Sequence, residues 1–308
     1  MTSFILFMTS DFGYNVCEYI YKNFEVRAVV TSTPKPKGRH FIIEDIESVK
    51  KAKELNIPII YINKSSEIYS KIHDINADYF VVIDFAFILK KDVLQLPKFY
   101  CINIHPSLLP EYRGPSPLHF QIIDNVKKTG ISIINMNEKL DAGDILFQMA
   151  FELDKWYTFS EFYQLMQERA SLAFDIFIKS ISFLYPSEQR ENLASYTRKI
   201  LKEDAFIDFE KEDVFKAIGK IKAFEKWPKV KIKVDQDILI LLDAELEYED
   251  SVNAGYIKIT DNKILIGTSN GTLSIKKIQK AGKSALSTKN FLKGYRNKLI
   301  EKKVESRF

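Results

Sequence analysis

Over the first 85 residues, short runs that are apolar on both faces alternate with longer amphipathic runs, and this constrains the fold more than any other feature. The short runs at 3–8, 25–32, 57–62 and 78–85 are rich in Val, Ile, Phe and Tyr. None shows the in–out alternation of a strand with one wet face. Between them, 16–24, 44–55 and 67–75 carry apolar residues at helical spacing, and the segment 34–39 is loop. Strands without a polar face need cover on both sides, which is the position of strands in a parallel sheet sandwiched by helices. Right-handed crossovers then give an α/β, Rossmann-like doubly wound, mostly parallel sheet. The turn after the first run, Thr9 to Gly13, holds one glycine. It therefore lacks both the dinucleotide fingerprint and the P-loop, and a nucleotide cofactor at that turn is not expected.

Further along, 101–105 reads as a strand and 130–136 as an alternating, antiparallel-capable strand. The stretch 156–181 keeps Phe159, Phe162, Leu165, Met166, Leu172, Phe174 and Phe177 at helical spacing, which predicts a long core-facing helix. Thr158 or Ser160 can cap its start, and Pro186 bars continuation. Residues 186–204 are polar and read as a linker. A helix at 212–224 follows, then several short strands punctuated by Gly255, Gly267, Gly271 and Gly282, the pattern of a small all-β barrel. The expected organisation is a first domain over 1–185, a linker over 186–204 and a C-terminal domain over 205–308.

With 46% hydrophobic and 28% charged residues the chain has the balance of a globular protein. No run approaches the ~18 apolar residues of a membrane span. The first residues lack a basic start and a small-residue cleavage site, so a cytoplasmic protein without a signal peptide is expected, and it is expected to be a monomer. Cys17 and Cys101 are isolated, which suits burial rather than a disulfide or zinc site. Charge is uneven: from Ala205 onward there are 21 basic against 15 acidic residues, and from Lys263 onward 12 against 2. A basic C-terminal part on a near-neutral body suits a polyanion such as RNA; a lysine-rich solvated surface is the alternative.

The chemistry concentrates in two stretches, Asn103 to Gly114 and Lys139 to Asp144. Residues two apart on a strand face the same way, so Asn103 and His105 project together at the end of an otherwise apolar strand. That is where open α/β sheets bind ligands. Pro106 then breaks the pairing. Unpaired, a buried amide and imidazole are costly, so they mark either a site or a locally satisfied hydrogen-bonded pair. Asp141, in a turn with Gly143, offers a carboxylate that could hold the imidazole.

These stretches resemble the active-site signature of the formyltetrahydrofolate-dependent formyltransferases, whose Asn, His and Asp triad matches Asn103, His105 and Asp141. The resemblance extends to Ser107, Leu108, Leu109 and Pro110, which in the family line the folate site, and to Tyr112-Arg113-Gly114. In the second half, 195–209, Trp227-Pro228 and 278–296 resemble the members that formylate methionyl-tRNA, so the likeness runs nearly the whole chain. It implies 10-formyltetrahydrofolate as formyl donor, initiator methionyl-tRNA as partner, an OB-like tRNA-binding C-terminal domain and no metal. Three positions depart from the family pattern. Thr9-Ser10-Asp11-Phe12 stands where Gly-Thr-Pro-Asp-Phe is usual, and Phe85-Ala86 where Tyr-Gly is common. In the tRNA loop Gly38-Arg39 is kept but His40-Phe41-Ile42 follows, leaving Arg39 as the expected tRNA contact.

By this resemblance Asn103 and His105 polarise the formyl group and Asp141 orients the imidazole and helps move the amine proton. Phe85 and Phe87, with Leu108 and Leu109, are candidate walls of a folate pocket, plain sheet core being the alternative. Other readings are an amino-sugar nucleotide as acceptor, a deformylating hydrolase, and a non-catalytic RNA-binding module.

Overall fold

The computed structural model describes residues 2–36, 43–299 and 302–305. Gly38 and Arg39 lie outside the described residues. The chain divides into two compact units: Met1–Gly114, Lys128–Glu152 and Tyr163–Thr197 form the first, and Pro115–Lys127, Leu153–Phe162 and Arg198–Phe308 the second.

The first unit is built on strands β1 (Ser3–Met8), β2 (Glu25–Ser32), β3 (Ile59–Ile62), β4 (Tyr79–Ile83), β5 (Tyr100–His105), β6 (Lys128–Asn135) and β7 (Asp144–Glu152). Its helices include α1 (Tyr14–Asn23), α2 (Glu47–Glu54), α3 (Ile68–Ile72) and α4 (Lys91–Leu94). The sheet order is β3-β2-β1-β4-β5-β6-β7. The first five are parallel, and β6 and β7 are added antiparallel. All six residues of β1 are buried, as the double-sided apolar run requires. Strand order reverses between β1 and β4, so the ends of β1, β4 and β5 open at the switch point where such sheets bind ligands. Strand β7 is not anticipated above, although its alternating exposure fits a strand with one wet face. Cys17 and Cys101 are buried free thiols, and burial pushes both well above the ordinary thiol range.

The second unit holds α5 (Pro117–Ile123), the start of α6 (Phe159–Ser180), α7 (Val214–Ala223), strands β8 (Val230–Val234), β9 (Asp237–Glu247), β10 (Ile257–Ile259), β11 (Ile264–Gly267), β12 (Thr272–Lys280) and β13 (Ala285–Ser287), and α8 (Thr288–Leu299). The path β10-β11-β12-β9-β8 is antiparallel throughout. Residues 302–305 then bond to Lys233 on β8 on one side and to Gly255 and Ile257 on the other. That closes the curled sheet into the expected barrel, and closure removes the free strand edges. Thr158 stands at the head of α6, its carbonyl accepting from Phe162 N at 2.9 Å and its own N–H donating to Glu161 at 2.9 Å. This is the carboxylate half of a capping box. Helix α5 follows Ser116 with Pro117 in its first turn, and α7 approaches it so closely that a Cβ on Gly219 would lie 2.6 Å from Ile123 O.

The residues 186–197, polar in sequence, join the first unit rather than hanging free, and 115–127 and 153–162 join the second. His119 stacks on Phe159 with ring centroids 4.4 Å apart. Burial pushes its pKa down to about 4 from the usual 6.5. Between those values the unfolded chain holds more of the proton, so stability rises with pH across this window and is lost as pH falls through it. In urea titrations from pH 7 to pH 4 the second unit is expected to lose stability with a slope of up to about one proton. His119→Phe should flatten that slope.

Candidate active site

Three loops converge beyond the carboxyl end of β5. The first is the strand end itself, with Asn103 and His105; the second is the loop 106–114; the third is the turn 139–143 between β6 and β7. The Asp141 carboxylate ties them together. Its Oδ1 accepts from Asn103 Nδ2 at 3.1 Å, and its Oδ2 accepts from Gly114 N at 2.8 Å and stands 3.7 Å from His105 Nδ1. His105 is 5% exposed and the Asp141 side chain 11%, so the two groups face each other with little water between them. The other ring nitrogen, His105 Nε2, lies 3.0 Å from Tyr112 O. A carbonyl oxygen only accepts, so Nε2 carries a hydrogen and donates it there. Nδ1 is left as the nitrogen that faces Asp141.

Asn103 and His105 are thus satisfied, but not locally. Asn103 bonds to a residue 38 positions away, and the imidazole lies between a backbone carbonyl of the next loop and a carboxylate of another. A strand that needed polar groups only for packing would not require three loops to complete their bonding.

The loop carrying Ser107 to Pro110 is anchored from the two antiparallel strands. Ser132 Oγ on β6 donates to Ser107 O at 2.6 Å and accepts from Leu109 N at 3.0 Å. Gln148 Nε2 on β7 donates to Ser132 Oγ and to Leu109 O, each at 2.8 Å. Ser107 turns its hydroxyl inward, donating to Glu111 O at 2.7 Å, and Leu109 is buried, while Leu108 and Pro110 are half-buried. Phe85 and Phe87 are half-buried and pack on the sheet core, Phe85 edge-on to Phe7 at 5.4 Å. Their loop leaves Asp84, Ala86 and Ile88 exposed instead. The same loop is laced to the turn after β1: Thr9 N and Oγ1 donate to Asp84 O, and Ala86 N donates to Thr9 Oγ1 at 3.0 Å.

Sequence reasoning did not single out Ser132 or Gln148. For Ser132 a signal exists: it is the one hydroxyl within the apolar run 131–134, and it is fully buried. Among the described residues no cluster of three or more His, Cys, Asp or Glu could hold a metal ion.

The sequence family described as formyl transferase matches residues 4–175, and the one described as formyl transferase, C-terminal domain, matches 199–296. The chain is a formyltransferase. A curated relative, the methionyl-tRNA formyltransferase of Rickettsia rickettsii (strain Iowa), is 33% identical over 296 residues, covering 94% of this chain and 96% of that one. Two solved structures share the fold. The N-formyltransferase from Helicobacter canadensis, in complex with folinic acid and dTDP-3-aminofucose, has a TM-score of 0.70 at 19% identity, over 91% of this chain and 100% of that one. The methionyl-tRNA formyltransferase from Clostridium thermocellum has a TM-score of 0.54 at 23% identity, over 81% and 96%.

Within this formyltransferase two glycines allow the loops to meet. Gly114 has φ +117°, and a Cβ there would lie 2.5 Å from Thr197 O; a Cβ on Gly143 would lie 1.9 Å from Asn135 O. Gly143→Ala is therefore expected to force the Asp141 turn off β6. The expected cost is about 1–3 kcal/mol of stability, read as a lowered urea midpoint, together with loss of activity.

Proposed function

We propose that this formyltransferase transfers the formyl group of 10-formyltetrahydrofolate to the amino group of initiator methionyl-tRNA, the step that prepares the tRNA for translation initiation. The observation that carries the reading is the 33% identity to a methionyl-tRNA formyltransferase across 94% of the chain, through both the catalytic and the C-terminal parts. The folate donor is supported by the family match and by the folinic acid held by the Helicobacter canadensis neighbour.

In this mechanism the free amine attacks the formyl carbon, a C–N bond forms and the carbonyl oxygen becomes an oxyanion. Asn103 Nδ2 is one donor for that oxygen, and His105, whose Nε2 hydrogen is committed to Tyr112 O, supplies a second through Nδ1 when the ring carries both hydrogens. Asp141 holds both donors and, through a water, passes the amine proton toward N10 of the folate. The C–N10 bond then breaks, releasing tetrahydrofolate and the N-formylated aminoacyl-tRNA. The folate would lie along the loops at Ser107 to Pro110 and at 84–88, meeting backbone groups and the sides of Leu108, Leu109 and Pro110. Phe85 and Phe87 would support that floor from beneath.

For the tRNA, the excess charge of the C-terminal part resolves into two kinds of lysine. Lys263, Lys276, Lys277, Lys280, Lys302 and Lys303 are each paired with a carboxylate. Exposed Lys289, Lys293 and Lys298 on α8 meet no carboxylate at ion-pair distance among the described residues, so they remain available for phosphates. Arg39 remains the proposed contact from the first unit.

Asn103→Ala, His105→Ala and Asp141→Ala are each expected to lower kcat for formyl transfer by about 10²–10³-fold. Charged initiator tRNA and an amino-sugar nucleotide should be offered in parallel as acceptors. Transfer to the sugar alone would overturn the acceptor assignment, and release of free formate without either acceptor would identify a hydrolase. Lys289→Ala with Lys293→Ala is expected to reduce the slope of log affinity for tRNA against log salt by about 1.5.

A further inference from the structure

The segment 187–197, polar enough in sequence to pass for free linker, is bonded along its length to the two loops that complete the Asn103–His105–Asp141 site. At one end Ser187 exchanges backbone hydrogen bonds with Ile145, at 2.8 and 2.9 Å, just past the Asp141 turn. At the other end the segment grips the loop 110–114. Ser195 N donates to Pro110 O at 3.2 Å, Ser195 Oγ accepts from Tyr112 N at 2.8 Å, and Thr197 N donates to Arg113 O at 2.6 Å.

Between these ends, Gln189 is half-buried although 185–188 and 190 are exposed. Its amide uses every hydrogen-bonding position it has. Oε1 accepts from Arg113 Nε at 3.0 Å and from Arg113 Nη2 at 2.9 Å. Nε2 donates to Asp141 O at 2.8 Å and to Gly143 O at 2.7 Å. Arg113 itself is 1% exposed, with its Nη1 donating to Glu191 and Tyr196 of the same segment. One side chain thus joins the turn that presents the Asp141 carboxylate to the loop whose Tyr112 O and Gly114 N hold His105 and that carboxylate.

We propose that Gln189 is a positioning residue for formyl transfer: through its amide it sets the Asp141 turn against the 112–114 loop, and so sets the carboxylate against Asn103 and His105. Asp141 adopts φ +48°, a left-handed conformation disfavoured for a residue with a side chain, and it keeps that conformation only where its surroundings fix it. The two donors of Gln189 meet that residue's own carbonyl and the carbonyl of Gly143 two residues on, fixing the turn directly after Asp141. This inference rests on the triad reading above and extends it to a segment outside the strands of the site.

Gln189→Glu separates positioning from packing. The variant keeps the length of the side chain and an acceptor for Arg113, but sets an acceptor oxygen against the carbonyls of Asp141 and Gly143. Gln189→Met, which keeps shape without either kind of bond, is the second variant. Thermal unfolding of both, and kcat and KM for the folate donor and for charged tRNA, are measured beside Asp141→Ala. The expected result is Gln189→Glu folded with a melting temperature near wild type and kcat down about 10- to 100-fold, as misplacement on the order of 1 Å would cause. Both KM values should stay within about twofold. Gln189→Met should likewise lose kcat rather than KM. Wild-type kcat in a folded Gln189→Glu, or a rise in KM with kcat kept, would overturn the proposal. If Asp141→Ala is slow while Gln189→Glu is fast, the positioning role fails and the triad stands. A fast Asp141→Ala would sink the triad itself.

Discussion

The site depends on one carboxylate shared among three stretches of chain. Asp141 accepts from Asn103 on β5 and from the backbone of Gly114, and faces Nδ1 of His105, so the strand end, the following loop and a distant turn form one unit only around it. The electrostatics favour this arrangement because the groups are nearly dry. In water the attraction between a carboxylate and these donors would be small, whereas hydrogen bonds to a charged group out of water contribute about 1.5–3 kcal/mol each.

Holding the carboxylate there has a conformational cost. Asp141, Tyr112 and Asp84 all have positive φ, at +48°, +60° and +46°, and a residue in that region carries a strain of order 1–3 kcal/mol. A single neutral hydrogen bond contributes only about 1 kcal/mol, so no one contact could hold such a turn. The observed solution is several contacts acting together: bonds from Asn103 and Gly114 to the side chain, and the pair from Gln189 to the backbone. On the other side of the site Ser132 and Gln148 perform the same service for the loop at Ser107 to Pro110. The antiparallel strands β6 and β7 therefore extend the parallel sheet in order to supply fixed anchors for loops that are irregular by necessity.

Much of this was legible beforehand. The parallel order of the first strands follows from runs such as 3–8, buried along their whole length. The barrel of short strands and the long helix over 159–180 likewise appear in pattern and periodicity. Asn103 and His105 stood out as polar residues ending an apolar strand, and they do meet Asp141. Less legible were β7 and α5. Strand β7 carries one wet face and so lacks the apolar excess that marks its neighbours, and α5 has only seven residues, too short for its periodicity to register. The aromatic pair Phe85 and Phe87 also shows the limit of composition. An apolar run names core-forming residues, but which of its alternate positions faces the core depends on neighbours such as Phe7.

The sequence by itself determined the layer architecture and the chemical groups of the site, because period and residue type are local properties of the chain. Only the tertiary structure decided how those groups are oriented: which ring nitrogen of His105 is committed to Tyr112, which lysines are already neutralised by carboxylates, and that a polar segment is bound to the Asp141 turn through Gln189. The physical reason is range. A hydrogen bond is decided by a few tenths of an ångström between atoms that here come from residues 38, 48 or 76 positions apart, and nothing in the local pattern of either partner records the other.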